Sequence, residues 1–180
     1  MRITGGTLRG RLIKVSGGGI RPAMDRMRES IFAVLGDLSG LSFLDIFSGS
    51  GIIALEAASR GASYIEAVEI DPLKRRTLLS NVGMSPVRVN CRFMSAELYV
   101  QRAKRSFDLI FCDPPFPYRY KRELVQSIAD SPLMQEGSRL LLHHPREDFS
   151  DMQGGRLVLE DSREYGRSTV NFFKFFCDKN

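Results

Sequence analysis

The sequence is poor in the features that place a chain in a membrane or hold it together by covalent or metal links. No apolar run approaches the ~20 residues of a membrane-spanning helix, and there are no internal repeats or low-complexity tracts. The opening MRITGGTLRGRLIK is basic but lacks an apolar stretch, so no secretory signal is expected and a cytoplasmic location is. The three cysteines, Cys91, Cys112 and Cys177, are odd in number, far apart and without C-x-x-C spacing, which argues against a disulfide framework or a zinc site. Cys112 closes an apolar run and reads as a small hydrophobe. The only histidines, His143 and His144, end the run SRLLLHH and read as strand-end polar residues.

What is present fits an ordinary globular chain: 180 residues, 43% hydrophobic and 26% charged. A single domain over 1–180 is expected, with 1–40 as a basic arm and helix and 41–180 as the core. The net charge of +5 is uneven. Residues 1–28 hold Arg2, Arg9, Arg11, Lys14, Arg21, Arg26 and Arg28 against the single acid Asp25, leaving the remainder close to neutral. An arginine- and glycine-rich arm of this kind suits phosphate contacts and points to nucleic acid.

After the Gly-rich arm, a helix is expected from about Met24 to Leu35, with Pro22 at its start and Met27, Ile31 and Val34/Leu35 on one face. The chain then alternates. LSFLDIF, SYIEAVEI, VRVNCRF, FDLIFC and SRLLLHH read as strands, separated by the helical stretches IIALEAASR, DPLKRRTLLSNV, AELYVQRAK and KRELVQSIA. The tail GGRLVLEDSREYGRSTVNFFKFF reads as an antiparallel hairpin. Strand–helix alternation predicts an α/β fold with a mostly parallel sheet covered on both faces.

In such sheets ligands bind outside the carboxyl ends of the strands. The first β–α turn, LDIFSGSGIIA, offers Gly49 and Gly51 at a helix N-terminus, and Glu69 lies about 20 residues on. That pattern suits either a dinucleotide or S-adenosylmethionine. Asp45 favours the methyl donor, since a carboxylate beside the loop repels a pyrophosphate and attracts an ammonium. At the end of the fourth strand stands DPPF, Asp113 to Phe116. The Asp113 carboxylate and the Pro114 carbonyl can accept both N–H groups of an exocyclic base amine, Pro115 stiffens the turn and Phe116 can stack on the base.

Over nearly its whole length the chain resembles the bacterial RsmD-type family of 16S rRNA guanine-N2 methyltransferases. MRITGGTLRGR is similar to that family's opening arm, RPAMDRMRES to its Arg-Pro-x-x-Asp-Arg-x-Arg-Glu element, LDIFSGSGIIALEAASRGA and DPPF to its donor and catalytic motifs, and REYGRSTVNFF to its final hairpin. The resemblance implies a Rossmann-like, seven-stranded methyltransferase sheet ending in an antiparallel hairpin, with S-adenosylmethionine as donor and no metal. It implies donor contacts from Asp45, Phe47, Ser48, Gly49, Ser50 and Gly51, ribose contacts at Glu69 and Ile70, and adenine contacts at Ser95 and Ala96, or Glu97 in a shifted register. It further implies a guanine N2 of 16S rRNA held by Asp113 to Phe116, in an assembling small ribosomal subunit, by a monomer. Arg2, Arg9, Arg11, Arg21, Arg26 and Arg28 are then the RNA-binding set. Two departures from the family stand out: Ser95 where an acid usually reads the adenine, and His143–His144 where an acid is common after the fifth strand. The rivals are the same chemistry on adenine N6 or a glutamine amide, a non-catalytic RNA-binding assembly factor, and an NAD-dependent oxidoreductase.

Overall fold

The computed structural model describes residues 1–15, 22–148 and 155–177. In chain order the elements are α1 (Pro22–Leu35), β1 (Ser42–Ile46), α2 (Ile52–Ser59), β2 (Tyr64–Val68), α3 (Pro72–Val82), β3 (Val89–Arg92), α4 (Ala96–Gln101), β4 (Leu109–Cys112), α5 (Lys121–Asp130), β5 (Arg139–Pro145), β6 (Leu157–Tyr165) and β7 (Ser168–Phe175). One seven-stranded sheet has the order β3-β2-β1-β4-β5-β7-β6. Its first five strands are parallel, and β7 enters antiparallel between β5 and β6. The expected alternation is therefore present, with α1 beginning at Pro22 rather than Met24 and α4 stopping at Gln101.

The strand pattern follows from where each strand lies. Central β4 is buried throughout, as a parallel strand covered on both faces must be, whereas edge strand β6 is largely exposed. Alternation along the strands divides the core in two. Phe43, Ile65, Ala67, Phe111 and Leu141 pack with Met27, Ile31, Phe32, Ile53 and Leu78 from α1, α2 and α3. Leu44, Ile46, Val68, Ile110, Leu140 and Leu142 pack on the opposite face with Tyr99, Leu124 and Ile128 from α4 and α5. Cys112 sits fully buried in this second layer.

Helix α2 is buried on every side, including Glu56. That carboxylate accepts from Thr4 N (2.8 Å), Thr4 Oγ1 (3.0 Å) and Arg28 Nε (3.3 Å), and also pairs with the Arg60 guanidinium. The amino-terminal arm is thus fastened to α2 rather than free. It folds on itself through an Arg2–Leu12 antiparallel bridge, buries Ile3, and runs so close to α2 that a Cβ at Gly6 (φ +73) would stand 1.8 Å from the Ser59 carbonyl oxygen.

This fastening corrects the expectation that Arg28 faces RNA. Arg28 is 1% exposed, and its guanidinium donates to Asp25 (2.6 Å), to Glu56 and to the Arg2 carbonyl (2.9 Å). Arg2, Arg9, Arg11 and Arg26 are exposed, and Arg21 lies outside the described residues. Removing one partner of a buried, paired charge costs roughly 3–5 kcal/mol. Glu56→Ala should therefore lower stability by about that amount in chemical denaturation, and a loss below ~1 kcal/mol would contradict this placement.

Candidate active site

The carboxyl ends of β1, β2, β4 and β5 surround a cavity of about 970 Å3, near the top of the ~300–1,000 Å3 range of small-molecule sites. It opens at the boundary between β1 and β4, where the strand order reverses direction. Asp45, Glu69, Asp113 and His143 all line it. Each follows by two residues an apolar side chain of the α1-side core, namely Phe43, Ala67, Phe111 and Leu141, so the pleat brings these four polar residues to one face. Helix α1 closes that face with Met24, Met27 and Arg28, and the arm adds Met1.

The loop after β1 is shaped by strain and by acids. Phe47 adopts φ +66, an uncommon conformation for a bulky residue, and its ring meets Tyr118 edge-on at 5.5 Å. Asp45 is buried at the foot of the loop, where Oδ2 accepts from Ser48 Oγ (2.6 Å) and Ala54 N (3.2 Å). Burial pushes its carboxyl up to about 7; the Ser48 and Ala54 hydrogen bonds oppose this, and the neighbouring Asp113 and Glu69 carboxylates add to it. Glu69 accepts from Gly49 N and Asp71 N, both at 2.8 Å, with Lys74 at 3.8 Å. A carboxylate has about four lone-pair sites, so Glu69 keeps capacity for ligand hydroxyls.

Phe47, Ser48, Gly49, Ser50, Ile70, Ser95 and Ala96 also line the cavity. Gly51 is not among the lining residues. A Cβ there would lie 2.7 Å from Leu78 Cδ1, and φ is +81, so this glycine serves the packing of the loop on α3. Ser95 caps α4, its Oγ accepting from Leu98 N at 3.2 Å. Beside it Glu97 accepts a hydrogen bond from the Tyr118 hydroxyl, which holds the carboxyl below the usual range. Tyr118 and His143 are among the lining residues that motif reading did not assign to the site, together with Met1, Met24, Met27, Ile52, Ile53, Asp71 and Lys74.

On the opposite wall, Asp113 N donates to Ile46 O (3.1 Å), continuing the β1–β4 ladder to the start of DPPF. Pro114 is buried, whereas Pro115 and Phe116 are exposed. Asp113 Oδ1 lies 2.7 Å from His143 Nδ1, and the Phe116 ring meets the His143 ring at 5.7 Å between centroids. Exposed Tyr120, Arg119 and Arg122 continue outward from this lip.

The residues present fit S-adenosylmethionine better than a dinucleotide. Two buried carboxylates beside a glycine loop favour a cationic amino acid and a ribose, and they disfavour a pyrophosphate. Sheet order and site together define the class, an S-adenosylmethionine-dependent methyltransferase fold of the Rossmann-like kind. The chain belongs to the family described as Conserved hypothetical protein 95, which matches residues 1–174.

Among its relatives, a Bacillus subtilis protein named "Putative rRNA methyltransferase YlbH" is 30% identical over 186 residues, 97% of this chain and 98% of that one. Ribosomal RNA small subunit methyltransferase D of Escherichia coli K12 is 32% identical over 135 residues, 73% of this chain and 68% of that one. The solved Escherichia coli structure of yhhF superposes with a TM-score of 0.88 at 25% identity, covering 99% of both chains.

If Asp45 holds the donor's ammonium, it must do so as the ionised carboxylate, and binding below pH 7 would then release a proton. The affinity for S-adenosylhomocysteine should fall by up to about tenfold for each pH unit below 7 and level off above it. Calorimetric titration across pH measures this, and Asp45→Asn should flatten the slope. In the absence of ligand the raised value has the opposite consequence: the folded state holds the proton more tightly than the unfolded chain. The contribution of Asp45 to stability should therefore decrease as pH rises from about 4 to about 7, a loss that Asp45→Asn should remove.

Proposed function

We propose that this chain methylates an exocyclic amine of an RNA base, the N2 of a guanine in 16S rRNA of the small ribosomal subunit, with S-adenosylmethionine as donor. The observation carrying the proposal is the convergence of DPPF and the acid-lined glycine loop on one cavity. The donor supplies an electrophilic methyl on a sulfonium. Asp45 through Ser50 hold its amino-acid end, Gly51 sets the turn of that loop, Glu69 with Ile70 holds the ribose, and Ser95 with Ala96 lies along the adenine. Beside Ser95, Glu97 is placed to take an adenine N–H.

On the other side Asp113 and the Pro114 carbonyl accept the two N–H groups of the target amine. That pairing turns its lone pair away from the base plane and toward the donor, so the protein acts by position and electrostatics. Pro115 fixes the turn and Phe116, 48% exposed at the lip, stacks on the extruded base.

RNA affinity comes from exposed Arg2, Arg9, Arg11 and Arg26, with Arg21 assigned by its place in the basic arm. Met1 and Met24 at the cavity wall put the arm and the start of α1 at the mouth. On the opposite lip Arg119 and Tyr120 meet the flanking nucleotides. The substrate named for the Escherichia coli relative, small-subunit ribosomal RNA, favours 16S rRNA over DNA.

The test is transfer of labelled methyl from S-adenosylmethionine onto unmodified small subunits, naked 16S RNA and DNA, followed by nuclease digestion. The expected product is N2-methylguanine in subunit RNA. Label on adenine N6 would replace the target, and label on no nucleic acid would end the proposal. Asp113→Ala should lower kcat by roughly 100-fold or more while leaving S-adenosylhomocysteine affinity unchanged. Neutralising Arg2, Arg9 and Arg11 together should weaken RNA binding most at low salt, reducing the salt slope by about two to three.

A further inference from the structure

His143 is 3% exposed at the end of β5, in line with three leucines, Leu140 to Leu142. The register of β4 and β5 pairs Phe111 with Leu141 and Cys112 with Leu142, so the next step sets Asp113 beside His143. The two side chains meet there, with His143 Nδ1 2.7 Å from Asp113 Oδ1. An ionised carboxylate only accepts, so Nδ1 carries the hydrogen and donates it. The imidazole Nε2 is buried and has no partner among the described residues. A buried polar atom without a partner carries a cost, which a fourth leucine at this position would avoid. The histidine is therefore not explained by packing, and its one hydrogen bond is to the acid of DPPF.

That bond has a direct geometric consequence. Asp113 is 31% exposed on its side chain, and among the described residues the hydrogen bond from His143 is the one its carboxylate accepts. With Oδ1 held by Nδ1–H, the turn of the carboxylate is restrained, and Oδ2, without a hydrogen bond among the described residues, stays open to a ligand in the cavity that Asp113 lines. The Phe116 ring, packed against the imidazole at 63° between planes, ties the base-stacking residue to the same anchor.

We infer that His143 is a positioning residue for methyl transfer, donating from Nδ1 to fix Asp113 so that its free oxygen accepts the target amine. The inference rests on the role proposed for Asp113. The neutral imidazole suffices, and no proton moves through it.

Two substitutions and one spectroscopic reading test it. His143→Phe keeps the ring and its contact with Phe116 but removes the donor, whereas His143→Asn places an amide N–H where the imidazole has Nδ1–H. His143→Phe should lower kcat roughly tenfold to a hundredfold with thermal midpoint and S-adenosylhomocysteine affinity unchanged. His143→Asn should recover most of that loss. In the ligand-free wild type, nitrogen NMR should show Nδ1 protonated and Nε2 bare, and Asp113→Ala should shift the tautomer away from that form.

Full kcat in His143→Phe beside a crippled Asp113→Ala would overturn the inference alone. A wild type with its proton on Nε2 would overturn it as well. Absence of methyl transfer by the wild type to any RNA would overturn the function and the inference together.

Discussion

The pairing of β1 with β4 is the constraint on which the rest of the site depends. It is secured at one end by Asp108, which accepts from Ser42 N (2.8 Å) and Ser42 Oγ (2.7 Å), and at the other by Asp113 N on Ile46 O. Between these ends Asp45 stands opposite Phe111. Because the two strands are parallel neighbours, the glycine loop and DPPF leave the sheet side by side. Because β2 and β5 flank them, Glu69 and His143 arrive at the same rim. A slip of one residue would turn Asp113 into the apolar layer and bring Cys112 to the cavity face, since side chains alternate with period two. The chemistry is thus a property of register as much as of residue type.

The same alternation accounts for the concentration of buried charge on one side of the sheet. The α1-side layer ends in Asp45, Glu69, Asp113 and His143 at the cavity, with buried Arg28 on its wall and Glu56 buried beneath Arg28. Glu56 is matched by donors from the arm, from α1 and from the end of α2, so one carboxylate fixes the arm relative to the helix that begins at the glycine loop. The fastened arm carries exposed Arg2, Arg9 and Arg11 on a folded segment rather than a free tail. A flexible tail with the same residues would supply charge without that geometry.

Much of this was legible in the sequence. The alternation of apolar runs with helical stretches conveyed the parallel order, and LDIFSGSG, Glu69 and DPPF are informative because each closes a strand. What was hidden depended on partners distant in the chain. Glu56 looks like any helical glutamate until Thr4 and Arg28, 52 and 28 residues away, are placed beside it. Arg28 was grouped with the exposed arginines because a count of charge says nothing about which one is enclosed. His143 was readable in principle: counting in twos from Leu141 puts it on the face of Asp113, but only once β4 and β5 are known to be neighbours.

The central claim is that one cavity divides into a donor half at β1 and β2 and an amine-holding half at β4 and β5. A crystal structure of the complex with S-adenosylhomocysteine tests it most directly. The account predicts the amino-acid end over Asp45, the ribose at Glu69 and the sulfur turned toward Asp113. A ligand whose adenine or ribose occupies the Asp113 end, or one bound outside this cavity, would contradict it.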